Sequence, residues 1–173
     1  NFDNESALGE NDTLVKDISG NGNDGDILGP TYVSRGKYGG AMEFSSNSNR
    51  VNTSYNVSNQ NNYSFEAWVF ADRIKPITEN EGYANVISSE DPSSYALSVR
   101  NASLGEYGLL AFSVNDGWTN SQEANYSEFL PNKWYYVAAT YDSLNDNMFL
   151  YVDGNLVDSH IRSDSGSGIA LIG

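Results

Sequence analysis

The sequence predicts an all-β fold, a two-sheet antiparallel jelly-roll-like sandwich. Short aromatic and β-branched runs alternate along the chain with polar clusters of Asn, Ser and Gly, a pattern typical of many short strands joined by turns. No stretch has the period of an amphipathic helix. Two of the runs are separated by Asp153-Gly154-Asn155, residues that tolerate the positive φ angles of a tight hairpin.

The runs define the expected strands, and two polar stretches between them are expected to be loops. The loops are Ser45–Asn62, rich in Ser and Asn, and Asn115–Asn132, which contains Asp116-Gly117 and Leu130-Pro131. The predicted strands are Gly40–Phe44, Tyr63–Ala71, Ala84–Ser88, Tyr95–Arg100, Gly108–Val114, Trp134–Tyr141, Met148–Val152 and Leu156–Ile161.

Large rings inside these runs are the candidate core. An aromatic side chain buries about 150 Å² or more, so a few rings fill much of the space between two sheets. The rings predicted to do so are Phe44, Trp68, Trp134 and Tyr151.

Length, charge and residue content limit the classes of function that the protein can have. The length of 173 residues fits one domain, and the net charge of −14 would repel nucleic acid and anionic lipid surfaces. The absence of cysteine removes thiol nucleophiles, thiolate metal sites and disulfides. The longest apolar stretch, Trp134–Ala139, is far too short to cross a bilayer, so we expect no membrane insertion. The N-terminus has no signal-peptide pattern, and we expect any such segment to have been removed upstream.

Five ordered segments resemble the laminin-G-like group of the concanavalin A-like lectin/glucanase superfamily. They comprise an aromatic-Asp start, an Asp-x-Ser-Gly-Asn-Gly-Asn-x-Gly loop, a Gly-Lys-x-Gly-x-Ala-x-x-Phe element, a Ser-Phe-x-x-x-Trp-Val strand and a pair of closing strands. The resemblance implies a single concanavalin A-like domain over residues 1–173. The segments are Asn1-Phe2-Asp3 with Val15–Gly25, Gly36–Phe44, Ser64–Val69, Trp134–Asp142 and Leu150–Gly154.

The chain also departs from that family's pattern. The turn after Phe44 lacks the usual acidic residue, and the family's first strand residues and its closing strand are missing. We therefore expect a fragment trimmed at both ends. Its open sheet edge would be filled by the parent polypeptide or by a neighbour, which makes a homo-oligomer a further expectation.

A calcium site is one interpretation of the loop that begins at Asp17. Asp17, Ser19, Asn21 and Asn23 place oxygen ligands at alternate positions around a Gly turn, as in the first half of a calcium loop. The resemblance implies the same, since relatives often hold one structural ion near this loop. The alternative is a hydrogen-bonded Asx turn without metal.

A ligand site is expected where exposed rings lie near amides and carboxylates. Trp118 and Asp116 supply both within one predicted loop, and Tyr126 lies close in sequence. Trp118 would equally fit a ring tucked into the core.

Seven Asn-x-Ser/Thr sequons exceed the number expected by chance, which favours a secreted glycoprotein over an Asn- and Ser-rich solvated surface. The candidate acceptors are Asn4, Asn11, Asn52, Asn56, Asn62, Asn101 and Asn125.

Catalysis is not expected. Glycoside hydrolysis needs a pair of carboxylates, and Glu66 has no second acid at the alternating position of its strand. The sequence instead favours a non-catalytic binding or adhesion module, extracellular or at the cell surface, which recognises glycans or surface proteins. The alternatives are a structural glycoprotein subunit of a cell-surface layer or filament and, third, a glycoside hydrolase.

Overall fold

The computed structural model describes residues 2, 4–55, 62–74, 83–89, 95–101, 108–114 and 122–161. Over these residues the protein is all-β with antiparallel pairing throughout, and the single helical element is a short 3-10 turn at Ser6–Leu8. The strands are β1 (Leu14–Val15), β2 (Gly25–Leu28), β3 (Thr31–Val33), β4 (Ala41–Glu43), β5 (Arg50–Thr53), β6 (Asn62–Phe70), β7 (Tyr83–Ser88), β8 (Tyr95–Asn101), β9 (Gly108–Val114), β10 (Gln122–Phe129), β11 (Trp134–Asp142), β12 (Asn147–Val152) and β13 (Asn155–Ile161).

The all-β prediction is confirmed. Every strand predicted from the sequence is present, and the ends differ by at most one residue. The predicted hairpin joins β12 to β13 through Asp153 and Gly154, whose φ angles are 50° and 82°. Two consecutive positive φ angles are those of a type I′ turn, whose twist matches that of the flanking strands.

The two predicted loops are wrong in part, because each contains a strand. Ser45–Asn62 includes β5 and the first residue of β6, and Asn115–Asn132 includes β10. The sequence of β10, Gln-Glu-Ala-Asn-Tyr-Ser-Glu-Phe, has almost no apolar alternation, and its fully buried side chains are Ala124 and Phe129. Pairing with β9 makes this polar segment a strand, which local composition does not indicate.

The chain divides into two compact units, Asn1–Val57 and Ser58–Gly173. Within the first unit, β1, β2 and β5 form a three-stranded sheet, and β3 pairs with β4. The side chain of Glu10 is buried there, and its carboxylate accepts hydrogen bonds from the backbone N–H groups of Glu5 and Lys16. These bonds satisfy a carboxylate that would otherwise be costly to bury.

The second unit contains two four-stranded sheets, ordered β10-β9-β8-β7 and β13-β12-β11-β6. Aromatic pairs join them across a shared core. Phe65 on β6 stacks on Tyr95 of β8 with ring centroids 4.6 Å apart, and Phe129 at the end of β10 stacks on Tyr135 of β11 at 4.5 Å. The Tyr135 hydroxyl also accepts a hydrogen bond from the backbone N–H of Leu130 at 3.0 Å.

The rings predicted to fill this core do not do so. Phe44 is 51% exposed and Trp68 is 38% exposed, while Trp134 and Tyr151 are half-buried on the side of their sheet that faces away from the core. Side chains in a strand alternate between two faces, so a ring one residue out of phase with Phe65 lies on the opposite face. Trp68, three residues after Phe65, is out of phase in this way.

Candidate functional site

The outward side of the sheet formed by β6, β11, β12 and β13, called the outer face below, carries a cluster of exposed and half-buried rings. Residues of β11 alternate strictly between half-buried and buried positions, with Tyr135, Val137, Ala139 and Tyr141 towards the core. Their neighbours therefore point outwards. The outer face is made of Ser64, Glu66, Trp68, Phe70, Trp134, Tyr136, Ala138, Thr140, Phe149, Tyr151 and Leu156, together with Asn62, Asp142, Asn147, Ser159 and Ile161 towards the start of β6.

Cross-strand pairing places four of these rings in two facing pairs. Residues that lie opposite one another on neighbouring strands are called a rung below. Trp134 lies opposite Phe70, with ring centroids 5.4 Å apart, and Tyr136 lies opposite Trp68 at 5.3 Å. Both pairs are tilted, the geometry that aromatic quadrupoles favour. Phe70 is 44% exposed, and Leu156 across the sheet is 53% exposed. Such clustered apolar surface on a solvated sheet typically marks an interaction site.

A polar pair lies directly beside the rungs. The Tyr136 hydroxyl donates a hydrogen bond of 2.6 Å to Glu66 Oε2, and this bond is the main reason that the pKa of Tyr136 is raised above its ordinary value of 10.0. Both side chains are therefore held in one orientation at the surface. An ionised carboxylate keeps further acceptor sites after one hydrogen bond, so Glu66 can still bind a donor from a ligand.

Ala138 has the smallest side chain in its row of the outer face. It lies between Glu66 on β6 and Tyr151 on β12, all in one rung of the sheet. Since alanine ends at Cβ, the larger side chains on either side rise above it. The four strands span about 14 Å from edge to edge, at about 4.8 Å per interstrand spacing.

The charge of the outer face is negative. Glu66 and Asp142 are its acidic residues, and no Lys or Arg projects from the outer face in the described part of the four strands. Lys133 is the nearest cation in sequence, just before β11. Its ammonium group lies 4.3 Å from the ring centroid of Tyr135 and 3.9 Å from the Asp153 carboxylate.

The predicted metal ligands come together in the loop after β1. The Asp17 carboxylate accepts backbone hydrogen bonds from Ser19 at 2.8 Å and Asn23 at 2.9 Å, and the Asn21 side-chain amide donates to Ser19 Oγ at 3.0 Å. The pKa of Asp17 is lowered from 3.8 to about 2, mainly by its hydrogen bond with the Ser19 side chain, then by the backbone N–H groups of Asn23 and Ser19.

These contacts are those of the Asx-turn alternative, because N–H donors already occupy a lone pair on each Asp17 oxygen. Asp24 adds to the same network by accepting bonds from the Asp17 N–H and the Lys16 ammonium. The residues that the structure describes contain no group of three or more His, Cys, Asp or Glu side chains that could hold a metal ion. Calcium at this loop stays a prediction.

The predicted ligand residues are only partly covered by the structure. Asp116 and Trp118 lie outside the described residues. Tyr126 lies on β10 rather than in a loop, where it is half-buried and pairs with Leu110. Burial raises its pKa, with the nearby Glu128 carboxylate as the second cause.

The sequon asparagines differ in exposure. Asn4, Asn11, Asn52 and Asn62 are exposed, Asn56 lies outside the described residues, and only the backbone of Asn101 is described. Asn125 is half-buried on β10, and its Oδ1 is buried without a hydrogen-bond partner. Its side-chain amide is therefore the least accessible of those described.

Sequence reasoning missed the outer face, because Trp134–Ala139 is apolar in both phases of the strand. The expectation that Trp68 and Trp134 fill the core is wrong, and the sequence pattern points to Glu66 only as a candidate catalytic acid. The burial pattern of β11, in which Tyr135 and Val137 face the core, places Trp134 on the opposite face. Register with β6 then places Trp68 and Glu66 on that face as well.

The comparisons with known proteins identify a family. The family model described as "Clostridium neurotoxin, N-terminal receptor binding" matches residues 12–167, which is most of the chain. Searches of curated proteins and of solved structures found no match. No helix in the described parts of the chain has the length and apolar character to cross a membrane.

The resemblance to the laminin-G-like, concanavalin A-like family is therefore wrong as a family assignment. Its motifs combine turns rich in Gly and Asn with alternating strands, and antiparallel sheets in general require both. The turns need residues that accept positive φ, as at Gly20, Gly22 and Gly154. The strands alternate because successive side chains point to opposite faces. Such features recur across unrelated β proteins. The family match over residues 12–167 shows that the chain belongs to the Clostridium neurotoxin N-terminal receptor-binding family.

Proposed function

We propose that the protein is an extracellular, non-catalytic binding module that attaches to a cell surface by recognising glycans or surface proteins through its outer face. The family description, a receptor-binding domain, supports a binding role. The observation that carries the proposal is two aromatic rungs, Phe70–Trp134 and Trp68–Tyr136, on one side of a four-stranded sheet. Phe70 and Trp68 are exposed, and their partners are half-buried.

The physical reason is the cost of leaving such a surface in water. Burying apolar area contributes about 25 cal/mol per Å², and tryptophan and tyrosine dominate the energetics of binding interfaces. Trp68 and Phe70 are large side chains that remain 38% and 44% exposed. A receptor that covers them would gain this burial without any change in the fold.

The test compares cell binding by the unmodified chain with binding by Trp68→Ala and by Phe70→Ala. Ile87→Ala is the matched control, since Ile87 is 37% exposed but lies on β7 of the other sheet. We expect each outer-face variant to lose about tenfold or more in affinity, the usual effect of truncating an interface anchor, and the control to bind normally. Equal binding by all the variants would overturn the proposal.

Three expectations from the sequence belong to this proposal. A jelly-roll-like arrangement of strands, N-linked glycans on the exposed sequons and a structural calcium ion at the Asp17 loop are each consistent with a secreted binding module. Solution mass is the measurement that separates this function from a structural subunit of a layer or filament. A stable monomer that binds cells favours the module, and open-ended self-association without cell binding favours the subunit.

A further inference from the structure

We propose that the outer face binds a neutral oligosaccharide, with one sugar ring stacked on Trp68 and its hydroxyl groups hydrogen-bonded to the Glu66–Tyr136 pair. The inference rests on the proposed receptor-binding function and names the ligand class for the same surface. It uses other residues than Asp116, Trp118 and Tyr126, the set expected from the sequence.

The rings supply the apolar half of such a site. One face of a pyranose presents mainly C–H groups, which pack on an aromatic ring as another apolar surface would. Trp68 offers its exposed fraction beside the Tyr136 ring, 5.3 Å away between centroids. The next rung, Phe70 with Trp134, extends this surface by a second pair of rings.

The hydrogen-bonding half lies within reach of the same rings. The bond of 2.6 Å between Tyr136 and Glu66 holds both oxygens in place, so a ligand does not have to order them. The Glu66 carboxylate accepts hydrogen bonds from sugar hydroxyls, and the phenol oxygen accepts another. Further along the strands, Ser64 and Thr140 face each other as uncharged polar partners.

The shape of the surface suits a short chain of sugars. The small side chain of Ala138 lies between Glu66 and Tyr151, next to the rung that contains Trp68. Leu156 lies opposite Tyr151 on the edge strand β13, at the end of the same row, and is 53% exposed. At about 14 Å across, the four strands leave room for more than one ring.

Charge selects neutral sugars over acidic ones. The outer face presents Glu66 and Asp142 and, over its described strands, no Lys or Arg, and the whole chain has a net charge of −14. A sialylated or sulfated glycan would approach like charge, and the described strands of this face offer no Lys or Arg to pair its acid group. A basic protein surface is another ligand that a negatively charged face would attract. Its binding would weaken as salt is added, whereas binding of a neutral sugar would change little.

The test applies the 173-residue chain to an array of neutral oligosaccharides printed beside their sialylated and sulfated counterparts. We expect neutral members to bind and the acidic counterparts to bind at least about tenfold more weakly. Binding that changes little between low and physiological salt supports a neutral sugar. Preference for the acidic counterparts, or no binding to any neutral member, would overturn the inference.

Variants then locate the site. Tyr136→Phe keeps the ring and removes only the hydroxyl, so we expect about 5- to 10-fold weaker binding to the best neutral glycan, the usual effect of losing one hydrogen bond. Trp68→Ala should abolish detectable binding, and Ile87→Ala should leave it unchanged. Thermal unfolding of each variant shows whether it is folded. If Trp68→Ala does not fold, Tyr136→Phe still tests the site, because it removes only one hydroxyl.

The experiments distinguish failure of the neutral-glycan inference from failure of the proposed receptor-binding function. If Trp68→Ala abolishes cell binding but no neutral glycan binds, the outer face is a receptor site for another ligand and only the glycan inference falls. If cell binding also falls steeply with added salt, that ligand is a basic protein. If the glycan binds but the outer-face variants attach to cells normally, the site exists and the proposed receptor function falls.

Discussion

The hydroxyl of Tyr136 on β11 donates a hydrogen bond of 2.6 Å to Glu66 Oε2 on β6. In the strand register Tyr136 lies opposite Trp68, and Glu66 lies opposite Ala138, so the bond runs diagonally between two rungs of the sheet. It joins an aromatic rung to the neighbouring row, in which Glu66 lies beside Ala138. The pair therefore links the apolar and polar parts of the outer face.

The first prediction concerns the ionisation of Tyr136. Its hydrogen bond to Glu66 raises its pKa above 10.0, so this contribution to stability is complete below the unfolded pKa and is lost as pH rises through the folded pKa. Replacing Glu66→Gln should lower the pKa of Tyr136 towards 10.0. Nuclear magnetic resonance of ring-labelled tyrosine measures the shift directly.

Tyr126 is the internal control for that measurement. Its pKa is also raised, but chiefly by burial and without Glu66 as a cause. It should therefore titrate at the same pH in the unmodified chain and in Glu66→Gln. A Tyr136 pKa that does not move in the variant would show that the hydrogen bond is not the source of the shift.

The second prediction concerns Asp17 in acid. Its pKa is lowered to about 2 from 3.8, so its hydrogen bonds stabilise the fold above about pH 4 and are lost as pH falls towards about 2. Asp17→Ala should be less stable than the unmodified chain at neutral pH, and the difference should narrow over that range. Thermal unfolding at a series of pH values tests this. A carboxyl carbon of Asp17 that titrates near 3.8 would contradict it.

The third prediction concerns calcium at the same loop. If Asp17, Ser19, Asn21 and Asn23 hold the ion, a chelator should lower the melting temperature by several degrees, because bound ligand stabilises the folded state. Adding calcium back should restore it, and Asp17→Ala should show no response to either. Identical melting curves with chelator and with calcium would leave the Asx turn as the complete description of the loop.

The fourth prediction concerns Gly154 in the turn between β12 and β13. Its φ is 82°, and an added Cβ would meet nothing within 4 Å, so the cost of Gly154→Ala is backbone strain alone. We expect a loss of about 1 kcal/mol in the free energy of unfolding, measured with urea. Gly154→Asn should lose less, since asparagine tolerates this conformation. Equal losses in the two variants would point to a cause other than φ.

The fifth prediction concerns the sequons. At least three of the seven asparagines should carry glycans in protein from its native source, with Asn52, Asn56 and Asn62 the best candidates. Asn52 and Asn62 are exposed, whereas Asn125, whose Oδ1 is buried, should be bare. Glycopeptide mapping decides this, and finding all seven unmodified would end the glycoprotein interpretation.

The sequence by itself determined the local features of the fold. The Asp153-Gly154 turn was predictable because few residues accept two successive positive φ angles. Strands such as Trp134–Asp142 were predictable to within a residue because their aromatic and β-branched runs are bounded by polar and turn-forming residues. The net charge of −14 likewise needs no structure to predict that nucleic acid is repelled.

Tertiary structure alone decided which face of each strand is inside. Phe65 and Trp68 are both large rings on β6, yet Phe65 stacks on Tyr95 in the core and Trp68 lies outside with Tyr136. Composition does not distinguish them, because the phase of a strand is set by what packs on it. The polar strand β10 exists for the same reason, since β9 supplies its backbone partners. The diagonal bond from Tyr136 to Glu66 joins residues 70 positions apart, a proximity that only the register of β11 against β6 creates.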